Sequence, residues 1–411
     1  MRNILSGGGA MNAIGEIRMP DVVFYGKGSL SRLTKGVNGL GNRALVISDK
    51  PMNDLGYVDH VMNDLQEAGI RSVVYLGVET ETKDTHVEEA LALFKEYECD
   101  FLIGLGGGSC IDAAKAVALL ATNESGLMDY VGGKKEINND LVPVVAIPTT
   151  AGTGSEVTDA LVVTNTSKDL KMMIKQPKIT PKVAIVDPVL TLSAPKMLTV
   201  ATGLDALCHA LEAYISRKSH PLTDTLALSA IKLIVENIPL VFKDGQDLEA
   251  RSQMAFASMQ AGIAFSNSSV CLVHGMSRPI GALFKVPHGI SNAMLLPVVL
   301  EYSANHCVDK LAQVGHVIFK DKELVSDEEL AQETILFIKE LCANLEVPNL
   351  KTWGISEADF EQALEKMATD ALASGSPGNN PRIPSKEELI QLYRESYFYE
   401  FSNESLRNKN K

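Results

Sequence analysis

Apolar residues in the first half of the chain fall into short runs separated by stretches of helical spacing. Asp21–Tyr25 (DVVFY), Arg43–Ser48 (RALVIS), Arg71–Leu76 (RSVVYL), Phe101–Leu105 (FLIGL) and Val142–Ile147 (VPVVAI) have the length and β-branched content of strands. Between them, Val58–Ala68, Thr85–Glu98 and Ile111–Thr122 place apolar residues three and four apart, as a helix on a core does. Val87, Ala90, Leu91 and Phe94 form such a face. Strands alternating with helices predict a parallel sheet covered on both sides.

From about Asp187 the pattern changes. Helical periodicity runs through 200–215, 222–237, 248–263, 288–304, 330–345, 357–371 and 386–395, and strand-like runs nearly vanish. The expected architecture is an α/β domain over 1–190 followed by an all-α domain over 191–411. The cleft between them is the natural place for a ligand.

Composition narrows the function. Hydrophobic residues at 45% and charged residues at 22% suit a globular protein with room for two cores. A net charge of -13 speaks against a nucleic-acid surface, which needs a basic footprint. Six cysteines (Cys99, Cys110, Cys208, Cys271, Cys307, Cys342) form no CxxC pair and read as reduced thiols. No apolar run reaches the roughly 18 residues of a membrane span. The opening MRNILSGGGAMNAIGEIRMP lacks the apolar block of a signal peptide and reads as a flexible lead-in. The expected location is the cytoplasm.

Two loops look built for phosphates. Gly104-Leu-Gly-Gly-Gly-Ser109 joins a strand to a helix, where bare backbone and helix N–H groups favour an anion. It departs from GxGxxG, since Ser109 takes the third glycine position. Pro148-Thr-Thr-Ala-Gly-Thr-Gly-Ser-Glu-Val-Thr158 follows the next strand with a row of small hydroxyls. Such loops at neighbouring strand ends line one crevice, the ligand site of open α/β sheets. Asp49, at the end of its own strand, could accept hydrogen bonds from a ribose and would repel a 2′-phosphate, favouring NAD over NADP.

Asp205 and His209 stand four apart in ATGLDALCHALEAYI and therefore share a helix face. With His274 and His288 they offer one carboxylate and three imidazoles to a divalent metal. Left unpaired among Leu204, Leu207 and Leu211, the carboxylate would be costly to bury, and a cation removes that cost.

These motifs, in this order, resemble the group III, or iron-containing, alcohol dehydrogenases, the family of propanediol, butanol and 4-hydroxybutyrate dehydrogenases. The resemblance runs from FYGKGSL through GGGSCIDAAK, IPTTAGTGSEVT, DPVLTLSAP, TGLDALCHALEAY, FSN, VHGM and VPHGISNAMLLP to GNNPR at 378–382. It implies a dehydroquinate synthase-like fold, an active site between an α/β and a helical domain, and metal ligands at Asp205, His209, His274 and His288. It places cofactor contacts on Asp49, Gly107, Gly108, Ser109, Asp112, Thr149, Thr150, Thr153 and Thr158, with Lys171 near the nicotinamide ribose. It further implies hydride transfer between NAD(H) and a primary alcohol or aldehyde polarised by the metal, and a homo-oligomer. The donors themselves accept Fe²⁺, Zn²⁺, Co²⁺ or Ni²⁺; the resemblance favours Fe²⁺, with Zn²⁺ as the alternative. Glycerol dehydrogenases and dehydroquinate synthase share the architecture but match these motifs less well, and intact site residues argue against a non-enzymatic scaffold.

One position departs from the family. Many relatives carry a second histidine one turn after the first late ligand, near the nicotinamide, where it is assigned proton transfer. This chain has Arg278. An arginine keeps its proton and cannot act as a base. Its planar fork suits a carboxylate, phosphonate or sulfonate, so an anionic substrate such as an ω-hydroxy acid or semialdehyde is the alternative expectation. A structural arginine paired with a nearby acid or with the cofactor would explain it equally.

Overall fold

A computed structural model describes residues 15–168, 170–319 and 325–401; most of the expected N-terminal lead-in lies outside them. Six parallel strands form the sheet: β1 (Val22–Tyr25), β2 (Arg43–Ile47), β3 (Arg71–Tyr75), β4 (Phe101–Gly106), β5 (Val144–Pro148) and β8 (Val183–Val186), in the order β1-β8-β5-β4-β2-β3. Helices α1 (Tyr57–Glu67), α2 (Asp84–Glu96) and α3 (Gly108–Thr122) cover it. The pleat sorts the apolar residues by face. Leu45, Ile47 and Leu102 pack with Val87 of α2 and Ala113 of α3. Ala44, Val46, Phe101 and Ile103 pack with Val58, Val61 and Leu65 of α1 on the other side. Burial on both faces explains why these strands read as unbroken apolar runs.

Beyond the sheet the described chain is helical: α4 (Lys196–Ile215), α5 (Pro221–Lys243), α6 (Leu248–Asn267), α7 (Leu272–Phe284), α8 (His288–Ser303), α9 (Val308–Ile318), α10 (Asp327–Asn344), α11 (Glu357–Ala373) and α12 (Lys386–Tyr397). Ala184 and Val186 of β8 and Val157 meet Ala255, Met259 and Ile263 of α6, which seats the helices on the sheet.

Three features differ from the sequence reading. An antiparallel hairpin, β6 (Ala160–Asn165) with β7 (Leu170–Lys175), follows the second loop. Leu161, Val163, Met172 and Ile174 are buried while Val162 and Leu170 are exposed, so it is a half-covered ribbon whose alternation the neighbouring loop motifs masked. The periodicity shows no helix between 263 and 288, where α7 nevertheless forms. α7 runs through Pro279, and the turn to α8 comes at Lys285, in the left-handed region at φ +57. Finally, α5 is long and apolar enough to cross a membrane by length and composition. Its residues Ala227, Ala230, Ile231, Ile234 and Ile238 nevertheless lie in the helical core beside α4.

Candidate active site

The strand-to-helix turn after β4 is fixed by glycines with different duties. Gly106 has φ +147, and a Cβ there would come within 2.6 Å of Cys110 Sγ. At Gly108 a Cβ would meet Thr153 at 2.9 Å, and at Gly104 it would meet the Ile111 backbone at 2.9 Å. The fold itself therefore requires those three. At Gly107 the nearest atoms are those of Thr150 at 3.9 Å, so the fold leaves room for a side chain. Ser109 donates its hydroxyl to Thr80 O at 3.0 Å and keeps its lone pairs. Asp49 caps the turn after β2 by accepting from Met52 N at 2.9 Å. Its other oxygen faces the glycine turn, 3.8 Å from Cys110 Sγ. The ends of β2 and β4 thus open on one crevice.

The second loop is locked beside the first. Thr149 N donates to Gly106 O at 2.9 Å, and Thr153 Oγ1 accepts from Ser155 N at 3.2 Å. Thr150 is half-buried at the rim. Two expected cofactor contacts turn inward. Asp112 accepts from Ser155 Oγ at 2.5 Å and Val162 N at 2.9 Å, which engages both of its oxygens. Thr158 is buried and accepts from Lys115 Nζ at 3.3 Å. Lys115, absent from the expected site residues, is fully buried and also donates to Ser155 Oγ, Thr158 O and Ala160 O. Burial pulls it down to about 8 despite Asp112. Burial likewise pushes Glu156, in the same loop, up to about 7. The Lys115 ammonium braces the loop from behind.

In the helical half, the face shared by Asp205 and His209 on α4 meets α7 and α8. Donor atoms of Asp205, His209 and His274 lie within 4.8 Å of one another, all buried. From Asp205 Oδ1 the distances to Nε2 are 3.5 Å for His274 and 3.9 Å for both His209 and His288. His288 is the open member, with a side chain 42% exposed. It opens α8, which sits so tightly on α4 that a Cβ at Gly289 would come 2.1 Å from Ala201 O. Each buried imidazole is oriented from behind. His209 Nδ1 lies 3.3 Å from Gly152 O of the second loop, and His274 Nδ1 lies 2.5 Å from Glu212 Oε2. A proton on each Nδ1 leaves both Nε2 lone pairs facing Asp205.

Burial would raise Asp205, but His209, His288 and His274 more than offset it and hold the carboxyl below its usual range. Desolvation pushes His209 down to about 4 and His288 to about 3, the latter tempered by its exposure to solvent. Burial would lower His274 as well, but Glu212 and Asp205 raise it. A carboxylate and imidazole lone pairs that converge in a buried space fit a divalent cation.

Two residues of this centre escaped the sequence. Glu212 is buried and accepts from Val273 N at 2.6 Å as well as from His274. Its signal was the continuation of the Asp205/His209 face by three more residues. Asn292, four after His288, reaches Asp205 Oδ1 at 2.7 Å.

Lys171, on β7, pairs with Glu81 at 2.7 Å and ends 3.6 Å from where a Gly281 Cβ would stand, close enough for its charge to lower His288. Arg278 donates to Ser376 Oγ at 3.0 Å and has no carboxylate partner within salt-bridge distance among the described residues. The expected pairing with a nearby acid is therefore absent among the described residues. The His209–Gly152 contact joins the two halves, so the dinucleotide-type loops and the metal-type cluster border one cleft.

Known proteins resemble this chain over nearly its whole length. Residues 20–188 match the family profile "Iron-containing alcohol dehydrogenase", and residues 199–397 match its C-terminal counterpart. The 1,3-propanediol dehydrogenase of Citrobacter freundii is 39% identical over 383 residues, 92% of this chain and 98% of that protein. A crystal structure of 1,3-propanediol oxidoreductase superposes with a TM-score of 0.89 at 37% identity, covering 94% of this chain and all of the other. Sulfoacetaldehyde reductase from Bifidobacterium kashiwanohense, solved in complex with NAD+, gives 0.84 at 26% identity with 94% and 100% coverage. The chain belongs to the iron-containing alcohol dehydrogenase family, and it is an alcohol oxidoreductase.

Proposed function

We propose that this protein transfers hydride between NAD(H) and a primary alcohol or aldehyde, with the metal held by Asp205, His209, His274 and His288 in a domain over 191–411 and the cofactor held by a domain over 1–190. The observation that carries this reading is the His209–Gly152 contact, which sets the cation cluster directly against the loop of small hydroxyls. Bound in the cleft, the ion supplies Lewis acidity to the substrate oxygen and the nicotinamide accepts or donates the hydride. The chain's own part is placement. Gly107 and the N-terminus of α3 admit the diphosphate, Thr150 and Ser109 stand at its rim, and Asp49 faces the position of a ribose. The Asp49 carboxylate disfavours a 2′-phosphate, which supports NAD over NADP. Fe²⁺ is the ion proposed, with Zn²⁺ the alternative, and the enzyme is proposed to act as a cytoplasmic homo-oligomer.

The test is a panel of diols, simple primary alcohols and hydroxy acids with NAD or NADP, on protein stripped of metal and resupplied with Fe²⁺ or Zn²⁺. Activity that survives chelation, or that prefers NADP, overturns the corresponding part of the proposal. A second reading, selectivity for an anionic substrate, is favoured by Arg278, whose half-buried guanidinium bonds Ser376 and has no carboxylate within salt-bridge distance among the described residues. Equal losses on neutral alcohols and on ω-hydroxy acids in Arg278→Lys and Arg278→Ala would remove it.

A further inference from the structure

Glu81, which lies outside the expected site residues, joins three parts of the cleft. It follows β3 and accepts from Lys171 Nζ of β7 at 2.7 Å, with Thr164 Oγ1 of β6 standing 3.5 Å from its other oxygen. The residues on either side of it are tied to the glycine turn after β4. Ser109 Oγ donates to Thr80 O at 3.0 Å, and Thr82 Oγ1 donates to Ser109 O at 2.8 Å. Thr164 N donates to Thr82 O at 2.8 Å, which ties the same segment to the hairpin. The backbone that carries Glu81 is thus held from both sides, while 48% of its side chain stays open to solvent.

Lys171 extends this anchoring toward the helical half. Its ammonium ends 3.6 Å from where a Gly281 Cβ would stand. Gly281 follows His274 by seven residues and Arg278 by three on α7, the spacing of one helix face. The ammonium therefore stands beside the face that carries His274. Glu81 takes one of its three N–H bonds, and it has no other hydrogen-bond partner among the described residues. An unpaired lysine at this place would spread over many rotamers, and the ion pair settles part of that freedom before a ligand arrives. A dinucleotide with its diphosphate at the glycine turn and its nicotinamide at the cation cluster passes this ammonium with its nicotinamide half only.

We propose that Glu81 is a positioning residue for the nicotinamide half of the cofactor. It holds the Lys171 ammonium beside the His274 face of α7, where the two remaining N–H bonds are free for the ribose hydroxyls next to the nicotinamide. Glu81 acts through Lys171 and does not itself touch the cofactor. The proposal rests on the NAD reading above and extends it.

The test compares two probes that share the adenosine diphosphate half. NADH carries the nicotinamide riboside and is followed by its fluorescence; ADP lacks it and is followed by calorimetry. Both are titrated into metal-loaded wild type, Glu81→Gln, Glu81→Asp, Lys171→Met and the double variant Glu81→Gln/Lys171→Met. Exposed ion pairs add little to stability, so loss of Glu81 is expected to spare the fold. Glu81→Gln is expected to bind NADH about 3–10-fold more weakly and ADP as wild type does. Glu81→Asp, whose carboxylate is one methylene shorter, should keep part of the NADH affinity. Lys171→Met should lose at least as much as Glu81→Gln, and the double variant no more than Lys171→Met, because Glu81 then has no ammonium to hold. Unchanged or tighter NADH binding in Glu81→Gln would overturn the proposal, and so would wild-type NADH binding in Lys171→Met. An equal loss toward ADP would do the same, since it would mean that the segment beside Ser109 had shifted. So would a full further loss on adding Glu81→Gln to Lys171→Met. Failure of the wild-type protein to bind either NADH or ADP would instead overturn the cofactor reading itself.

Discussion

Replacing Glu212 by glutamine tests whether the metal cluster is tuned from behind. The carboxylate uses one oxygen for Val273 N at 2.6 Å and the other for His274 Nδ1 at 2.5 Å. Glutamine can serve only one of them with its carbonyl and must turn its NH₂ toward the other. If it keeps Val273, the His274 proton moves to Nε2, and that nitrogen stops being a ligand. Losing such an orienting partner lowers metal affinity about 10–100-fold in comparable sites, or about 1.4–2.8 kcal/mol. If it instead keeps His274, its NH₂ group faces Val273 N–H, and that buried donor loses its acceptor at a cost of about 1–3 kcal/mol of stability. The assays are denaturant unfolding of the stripped protein and chelator competition with Co²⁺, Fe²⁺ and Zn²⁺. Glu212→Asp, too short to reach both partners, is expected to fall between glutamine and wild type. Unchanged metal affinity in Glu212→Gln, in protein that unfolds as wild type does, would refute the reasoning.

The glycine turn separates demands of the fold from demands of the ligand. Gly107→Ala, with open space at its Cβ, should keep wild-type stability but weaken NADH binding, read by fluorescence titration. Gly106→Ala, held at φ +147 against Cys110, should lose roughly 1–3 kcal/mol of stability. Equal effects of the two on melting would contradict this division. Lys115→Met removes a cation with three oxygen acceptors in the second loop and a fourth on β6, so it should loosen the loop, raise KM for the cofactor and lower the melting temperature. A wild-type KM in that variant would show that the brace is dispensable. Glu156 predicts a pH dependence. Its folded-state value, about 7, lies above its ordinary 4.5, so between these the folded protein keeps a proton that the unfolded chain has lost. Stability should fall as pH rises through that window, by at most about 3 kcal/mol for the 7 − 4.5 = 2.5 unit difference. Glu156→Gln should melt higher than wild type at pH 8 and level with it at pH 4. Identical curves at both pH values would exclude a buried, shifted Glu156.

What the sequence determined by itself was local. Asp205 and His209 share a face because they lie four apart on a helix, and the glycine run after FLIGL makes a strand-to-helix turn wherever that strand goes. Such spacings are set by covalent geometry and hold before any packing occurs. The alternation of strand and helix patterns implied the parallel sheet followed by helices, and the order of the motifs added the family. Partners distant in sequence were decided only by tertiary packing. Glu212 reaches His274 across 62 residues and Asn292 reaches Asp205 across 87, separations at which no periodicity survives. The same packing gave Asp112 and Thr158, expected cofactor contacts, the partners Val162, Ser155 and Lys115. It also laid α5, apolar enough for a membrane, against α4 in a core. Composition records how much apolar surface a segment must bury. Which surface covers it, and which acceptor meets a buried donor, depends on the arrival of other parts of the chain.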